Sequence, residues 1–410
     1  MDDEEARAIG ERLRMIRRRR GLSQAAAAGL AGITKSYLSL LERGERGFNR
    51  RGLLEDLAEA LSCSVADLTG QPYHLPGRDT EDTFAAIPGI QLALNDYGPD
   101  DVPDVNPRPL EQLALWADES NEHCTQARYS LAGKDGGTLV TELQAHALSA
   151  PGRERDQAVT SAVIACFVAG VVAGNVASVQ LSANAAQRGY DLAIRHGTPG
   201  LVGFARWYWS LTLTRLAARR RASSLLTAGI DELAPSISLA GGSDTLAAEM
   251  AGLMHLACAH TAAREQHADD AEMHLDEAEL LAVSIGEHNG LLQHFGPTNV
   301  ALWRLGISIE LSDSGRAYEK TMRAELDLSG LGSAEREASL RLNLARALVY
   351  SRKDRDGEAI RHLDAADRLA PQRIRMDPMA RELVITLTRR TPRRVWELDS
   401  LRNRFGIGRG

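Results

Sequence analysis

Twelve lysine and arginine side chains fall between Arg7 and Arg51 against only Glu11, Glu42 and Glu45, a surplus of nine positive charges in a 410-residue chain whose net charge is −7. Cations gathered in this way neutralise phosphates and release their counterions. Within the stretch, the segment KSYLSLLERG turns Lys35, Ser36, Ser39 and Leu40 to its outer side if Leu41 and either Tyr37 or Leu38 face inward. Lysine donates to guanine O6 and N7, serine serves either a donor or an acceptor edge, and leucine meets a thymine methyl. Arginines at the ends of such an element hold phosphates and set affinity without reading sequence. Beyond residue 70 acidic side chains outnumber basic ones by eight, so that part is repelled by nucleic acid.

The elements that must position these groups are short helices. Ile9, Leu13 and Ile16 recur at i, i+4, i+7, the stripe of an amphipathic helix, with arginines on its other face and Gly21 to end it. Ser23 is an N-cap for a second helix over residues 24–31, nearly all alanine with Leu30 as its apolar anchor, and Gly32 supplies a turn. Thr34 caps the third helix, whose outer face carries Lys35 and Ser36.

The run LSQ, seven residues, GITKSYLSLLERG and then LLEDLAEALSCSVADL resembles the phage-repressor type of helix-turn-helix, the XRE family, over about residues 9–70 and without a gap. The resemblance implies a five-helix DNA-binding domain over residues 1–70 whose third helix enters the major groove. It further implies base contacts by Lys35, Ser36, Tyr37, Ser39 and Leu40, a phosphate contact by Gln24 at the start of the second helix, and backbone contacts by Arg43, Asn49, Arg50 and Arg51. The chain departs from the family pattern at Ala25, Ala26 and Ala27, where acidic or polar residues and a leucine are usual, and Gly29 in the same helix costs about 1 kcal/mol relative to alanine.

From residue 71 to 109 prolines and aspartates multiply, which reads as a linker holding one short helix in FAAIPGIQLALNDYG. Residues 110–410 then repeat. HLDEAELLA at 274–282 and HLDAADRLA at 362–370 lie 88 positions apart, two periods of 44. Helix pairs are expected over 156–196, 198–234, 243–286, 294–329, 334–370 and 377–405, each burying its apolar seam only by stacking into a right-handed solenoid. The pattern is similar to tetratricopeptide repeats, and FGPTNVALWRLGISIEL resembles actinobacterial regulators that join such repeats to this helix-turn-helix. An all-α fold follows: a five-helix domain, then a helical-repeat sensor and dimerisation domain. Trp207, Tyr208, His294, Asn299, Trp303 and Arg304 combine aromatic faces with polar donors and are the candidates for an effector site on the concave face.

Several chemistries are not encoded. Cys63, Cys124, Cys166 and Cys258 are far apart and form neither a disulfide framework nor a zinc motif. GKDGGT lacks the order of a P-loop, GGSDT is no nucleophile elbow, and H-E-x-x-H is absent, so no enzymatic activity, catalytic residue, metal or cofactor is expected. The N-terminus has no apolar core of a signal peptide. AVIACFVAGVVAG, about thirteen residues, falls short of the roughly twenty that span a bilayer and reads as a buried helix. A cytoplasmic, homodimeric, sequence-specific regulator of transcription is the expectation, its partners being double-stranded DNA, a second copy and a small-molecule or peptide effector. The alternative is an interaction scaffold with a vestigial DNA-binding domain, against which Lys35, Arg43, Arg50 and Arg51 are all retained.

Overall fold

The computed structural model describes residues 3–48, 50–71, 73, 77–237, 244–323, 332–351, 355–391 and 395–407. Among them the regular elements are helices, with one isolated bridge between His288 and Phe295. The N-terminal unit is five helices, α1 Asp3–Arg19, α2 Gln24–Leu30, α3 Lys35–Glu42, α4 Arg51–Ala60 and α5 Val65–Thr69. Their starts follow the caps: the Ser23 hydroxyl accepts from the Ala26 N–H, Thr34 accepts from Tyr37, and Ser64 with Asp67 closes a capping box on α5. Ile9, Leu13, Leu38, Leu41, Leu57 and Phe48 form the core, and α1 crosses α3 so closely that a Cβ on Gly10 would lie 2.4 Å from the Leu41 carbonyl oxygen.

The stretch expected to be a linker is instead largely part of the second unit. Residues 78–96 form α6 Arg78–Asp96, which runs through Pro88 and buries Ile90 completely. It packs against α9 Gly136–Ser149, which is preceded by α7 Leu110–Thr125 and the short α8 Tyr129–Ala132. Gly137 permits the contact, since a Cβ there would meet the Gly89 carbonyl oxygen at 2.2 Å. Side chains from the repeat helices then bind the carbonyls of the proline-rich segment: Gln144 donates to Gly98 and Asp101, Arg188 to Leu94 and Tyr97, and Arg195 to Pro99. Long side chains of the repeat helices thus supply donors to carbonyls of a segment short of regular backbone pairing.

Helix pairs follow at the expected spacing. They are α10 Gly152–Asn175 with α11 Val179–His196, α12 Pro199–Arg215 with α13 Arg219–Leu233, α14 Thr245–Arg264 with α15 Ala268–Ile285, α16 Pro297–Glu310 with α17 Ser314–Arg323, and α18 Ala334–Ser351 with α19 Asp356–Leu369. A last group is α20 Pro371–Met376, α21 Pro378–Arg390 and α22 Trp396–Arg404. Residues 324–329 of the expected fourth pair lie outside the described residues. Ala193, Ala278, Ala345 and Ala366 are fully buried where helices approach. α10 is long and apolar enough to cross a membrane, but its side chains fill the core of this unit. The stacking is compatible with a tetratricopeptide-like solenoid.

The stack does not end as an open arc. Its first helices meet its last: Thr83 on α6 donates to Gln372 on α20, the Ser333 hydroxyl donates to the Thr125 carbonyl at the end of α7, and α7 touches α18. The N-terminal unit docks on the same assembly, α4 on α14 and α1 on α21, with Met379 entering the N-terminal core. Ionic groups line the seam. Glu55 binds Arg264 at 2.9 Å, Asp56 binds Arg219 at 2.6 Å, and Glu310, paired with Arg346, accepts from the Gly52 N–H at 3.4 Å.

The α1–α3 crossing gives a direct stability test. Gly10→Ala places a methyl against backbone that cannot rotate away and is expected to cost about 1–3 kcal/mol, read as a lower urea midpoint for the full-length chain, whereas Gly29→Ala, with open space around its Cβ, is expected to stabilise by up to about 1 kcal/mol.

Candidate nucleic-acid interface

The recognition-helix geometry rests on a buried ion pair. Glu42, the last residue of α3, accepts two hydrogen bonds from Arg17 of α1, at 2.5 and 3.0 Å, and one from the Gln24 amide at 2.8 Å. Arg17 spends a third N–H on the Leu22 carbonyl. Helices α1, α2 and α3 are therefore joined through one carboxylate. Burial alone would raise the Glu42 pKa, but the bonds from Arg17 and Gln24 outweigh it and hold the carboxyl below its ordinary 4.5.

This network sets which side chains reach outward. Lys35 and Ser36 are exposed at the first turn of α3, while Ser39 and Leu40 are half-buried and Tyr37 lies along the core edge. Leu38, not Tyr37, takes the inward position and is fully buried. Beside Lys35 is a recess formed by Arg14, Arg17, Arg18, Ser23, Gln24 and Ala25. Arg14 and Arg18 are exposed, and among the described residues they make no hydrogen bond or ion pair, as is true of Lys35. Three free cations around one recess at the start of α2 are suited to a phosphate oxygen. Arg14 and Arg18 were legible only as part of the basic count; their i, i+4 spacing ahead of Ser23 was the available signal.

The phosphate-contact residues divide. Gln24 borders the recess, but its amide donates inward to Glu42. Arg43 is exposed and binds its neighbours Glu45 and Ser39, so both partners enter any DNA contact from an existing pairing. Arg50 is half-buried at the N-cap of α4. Asn49 lies outside the described residues. Arg51 corrects the expectation: it turns away from the recognition face toward the second unit, 3.4 Å from Glu55 and 3.9 Å from Asp377. The cause is the docking of α4 on α14, which takes the face carrying Arg51 and Glu55 out of solvent.

The effector candidates divide as well. Trp207, Tyr208, His294, Asn299 and Trp303 line one partly open cavity of about 350 Å3, together with Arg51. Arg304 does not: it lies outside, paired with Glu272 and Glu279 at 2.7 Å each. Trp209 likewise stacks away from the cavity on Tyr190, with Arg221 over its ring.

Residues 8–69 match a family of helix-turn-helix domains. Over 60 residues, 15% of the chain, the sequence is 38% identical to a competence pilus inhibition repressor of Acinetobacter baylyi, 54% of which is covered. The chain thus spans about half the length of this relative. The N-terminal unit is a helix-turn-helix domain, and the likeness supports a DNA-binding regulator.

The Glu42 pair yields a pH-dependent prediction. Glu42→Gln leaves the Arg17 guanidinium buried without its counter-charge and is expected to cost about 3–5 kcal/mol at neutral pH. Because the folded carboxyl titrates below 4.5, the wild-type stabilisation is complete above the unfolded value and is lost as pH falls through the folded one. Urea titrations at neutral and acid pH are expected to show the gap between the two proteins closing in acid; a gap independent of pH would count against the ionised pair.

Proposed function

We propose that this chain is a cytoplasmic, non-enzymatic transcription regulator that binds a pseudo-palindromic operator as a homodimer and answers to an effector held in its repeat domain. The observation that carries the DNA-binding part is the placement of Lys35 and Ser36, exposed at the start of α3, beside the recess of Arg14 and Arg18. The first pair faces base edges when α3 lies in a major groove, and the arginines then meet the flanking phosphates. The relative named as a repressor favours the same role. Dimerisation rests on a size argument: a single helix-turn-helix unit buries too little surface for specific affinity, and two reading heads address half-sites one helical turn apart.

Selection from a random DNA pool, followed by titration at several salt concentrations, tests the reading. Lys35→Ala is expected to cost about 1–3 kcal/mol on the selected operator and little on random DNA. Arg14→Ala and Arg18→Ala are expected to weaken both DNAs alike and to reduce the slope of log affinity against log salt by about 0.9 for each phosphate left without its arginine. Arg51→Ala, facing the second unit, is expected to leave that slope unchanged. Absence of any enriched site would favour the interaction scaffold with a vestigial DNA-binding domain.

The assembly claim has its own measurement. Light scattering at micromolar concentration is expected to give twice the monomer mass with operator bound; one chain per operator would overturn it.

A further inference from the structure

The cavity beneath the docked helix-turn-helix has an unbalanced charge. Five arginines line it, Arg51, Arg215, Arg264, Arg336 and Arg373, against one carboxylate, Glu335. Three of the five are compensated: Arg264 and Arg51 by Glu55, and Arg373 by Glu335 at 2.7 Å. Among the described residues the hydrogen bonds of Arg336 go to neutral acceptors, the Gln293 carbonyl at 2.9 Å and the Asn299 side-chain oxygen at 3.5 Å, with the Glu335 carboxylate acting on it at longer range. Arg215 makes no hydrogen bond or ion pair among the described residues. Its side chain is exposed to the open space of the cavity, where Arg51 and Arg373 oppose its charge and Glu335 favours it. His260 and His294 add no charge at neutral pH, since burial pushes the first well below 6.5 and the second down to about 4.

Three more than nine-tenths buried polar groups in the same lining find no protein partner: the Trp207 indole N–H, His294 Nε2 and the Asn299 amide nitrogen. Buried polar groups are ordinarily satisfied, so two donors and an imidazole nitrogen that donates or accepts by tautomer together mark a place where something else supplies the partners. The wall nearby is also strained. Leu291, Leu292 and His294 all have φ between 51° and 59°, a region that branched and bulky side chains avoid, and the Asn289 side chain and Glu249 hold the segment there through the His294 and Gly290 N–H groups. Phe167, Trp207, Tyr208 and Trp303 supply the apolar faces, and the volume falls within the roughly 300–1,000 Å3 of small-molecule sites.

We propose that the cavity takes a small organic anion with an aromatic body, its acidic group held by Arg215 and Arg336 and its rings against Trp207, Tyr208 and Trp303, and that Arg51 reports its occupancy to the docked DNA-binding domain. This rests on the reading of the repeat domain as the effector-binding part. Cations are disfavoured by the lining, and a neutral ligand leaves Arg215 and Arg336 to share the Glu335 carboxylate already bound to Arg373. Arg51 is the one lining residue contributed by α4, and it shares Glu55 with Arg264, so a new anion in the cavity competes with Glu55 for the cations that bind the two units together.

Two probes of nearly the same shape separate the charge from the body: 8-anilinonaphthalene-1-sulfonate and its neutral relative N-phenyl-1-naphthylamine, each titrated into the full-length protein and followed by probe emission and tryptophan quenching. The sulfonate is expected to bind once per chain. Arg215→Met and Arg336→Met are each expected to weaken it about tenfold or more while changing the neutral probe less than twofold. Asn299→Asp, which adds a carboxylate at nearly constant volume, is expected to act in the same direction, and circular dichroism confirms that each variant is folded. Sulfonate affinity unchanged in all three variants, or lost equally for both probes, overturns the anion site. Operator titration with saturating sulfonate tests the coupling: an altered DNA affinity that Arg51→Met abolishes supports it. Arg215-dependent binding with unaltered DNA affinity overturns the Arg51 link and the effector reading while leaving the anion site standing.

Discussion

A glutamate with 1% of its side chain exposed has to be given its counter-charges by whatever buries it, and Glu55 receives them from another domain. Arg264 on α14 reaches it at 2.9 Å, Arg219 at the start of α13 at 3.6 Å, and its own helix adds Arg51 at 3.4 Å. The neighbouring seam repeats the arrangement with the sign reversed in chain order, Glu310 and Asp377 of the repeat unit facing Gly52 and Arg51 of α4. Neither unit alone could bury these groups at acceptable cost. The position of the reading head is thereby tied to the electrostatics of the repeat domain's interior.

The ordered segment before α7 and the closing contacts of the stack hold the helices that carry these counter-charges in place. A reading head held by ions several helices apart in sequence needs those helices at fixed spacing, and the spacing is secured by contacts between the first and last helices of the stack, such as Thr83 with Gln372 and Ser333 with Thr125. Closure deepens what would be a concave face into a partly open cavity. An interior lined by more arginines than carboxylates is a strong electrostatic environment because the low-dielectric walls screen it little.

The helix-turn-helix itself is organised by the same kind of group on a smaller scale. Glu42 gathers Arg17, Gln24 and, through them, three helices. The alanine-rich α2, which offers little apolar volume of its own, is positioned by that carboxylate and by Ala27 and Ala28 packed against the core. Departures from the family pattern at residues 25–27 are thus accommodated by polar contacts at the start of the helix.

Local signals made the all-α architecture legible in the sequence. Ser23 and Thr34 cap the helices they precede, and the 44-residue period placed five helix pairs close to where they lie, because caps and apolar periodicity act through residues only a few positions apart. The basic cluster and the exposed start of α3 were legible for the same reason. What tertiary structure alone decided is the direction in which individual side chains face. Successive residues on a helix diverge by about 100°, so Trp303 enters the cavity while Arg304 reaches Glu272 and Glu279 on the outside. Arg14 and Arg17 are three positions apart, yet one is exposed and the other buried on Glu42. Arg51 was indistinguishable by type from a phosphate contact and became a half-buried group of the seam only because α4 docks on α14. The closeness of α6 to α9 at Gly137 and the closure of the stack depend on contacts between residues tens to hundreds of positions apart, about which composition and periodicity carry no information.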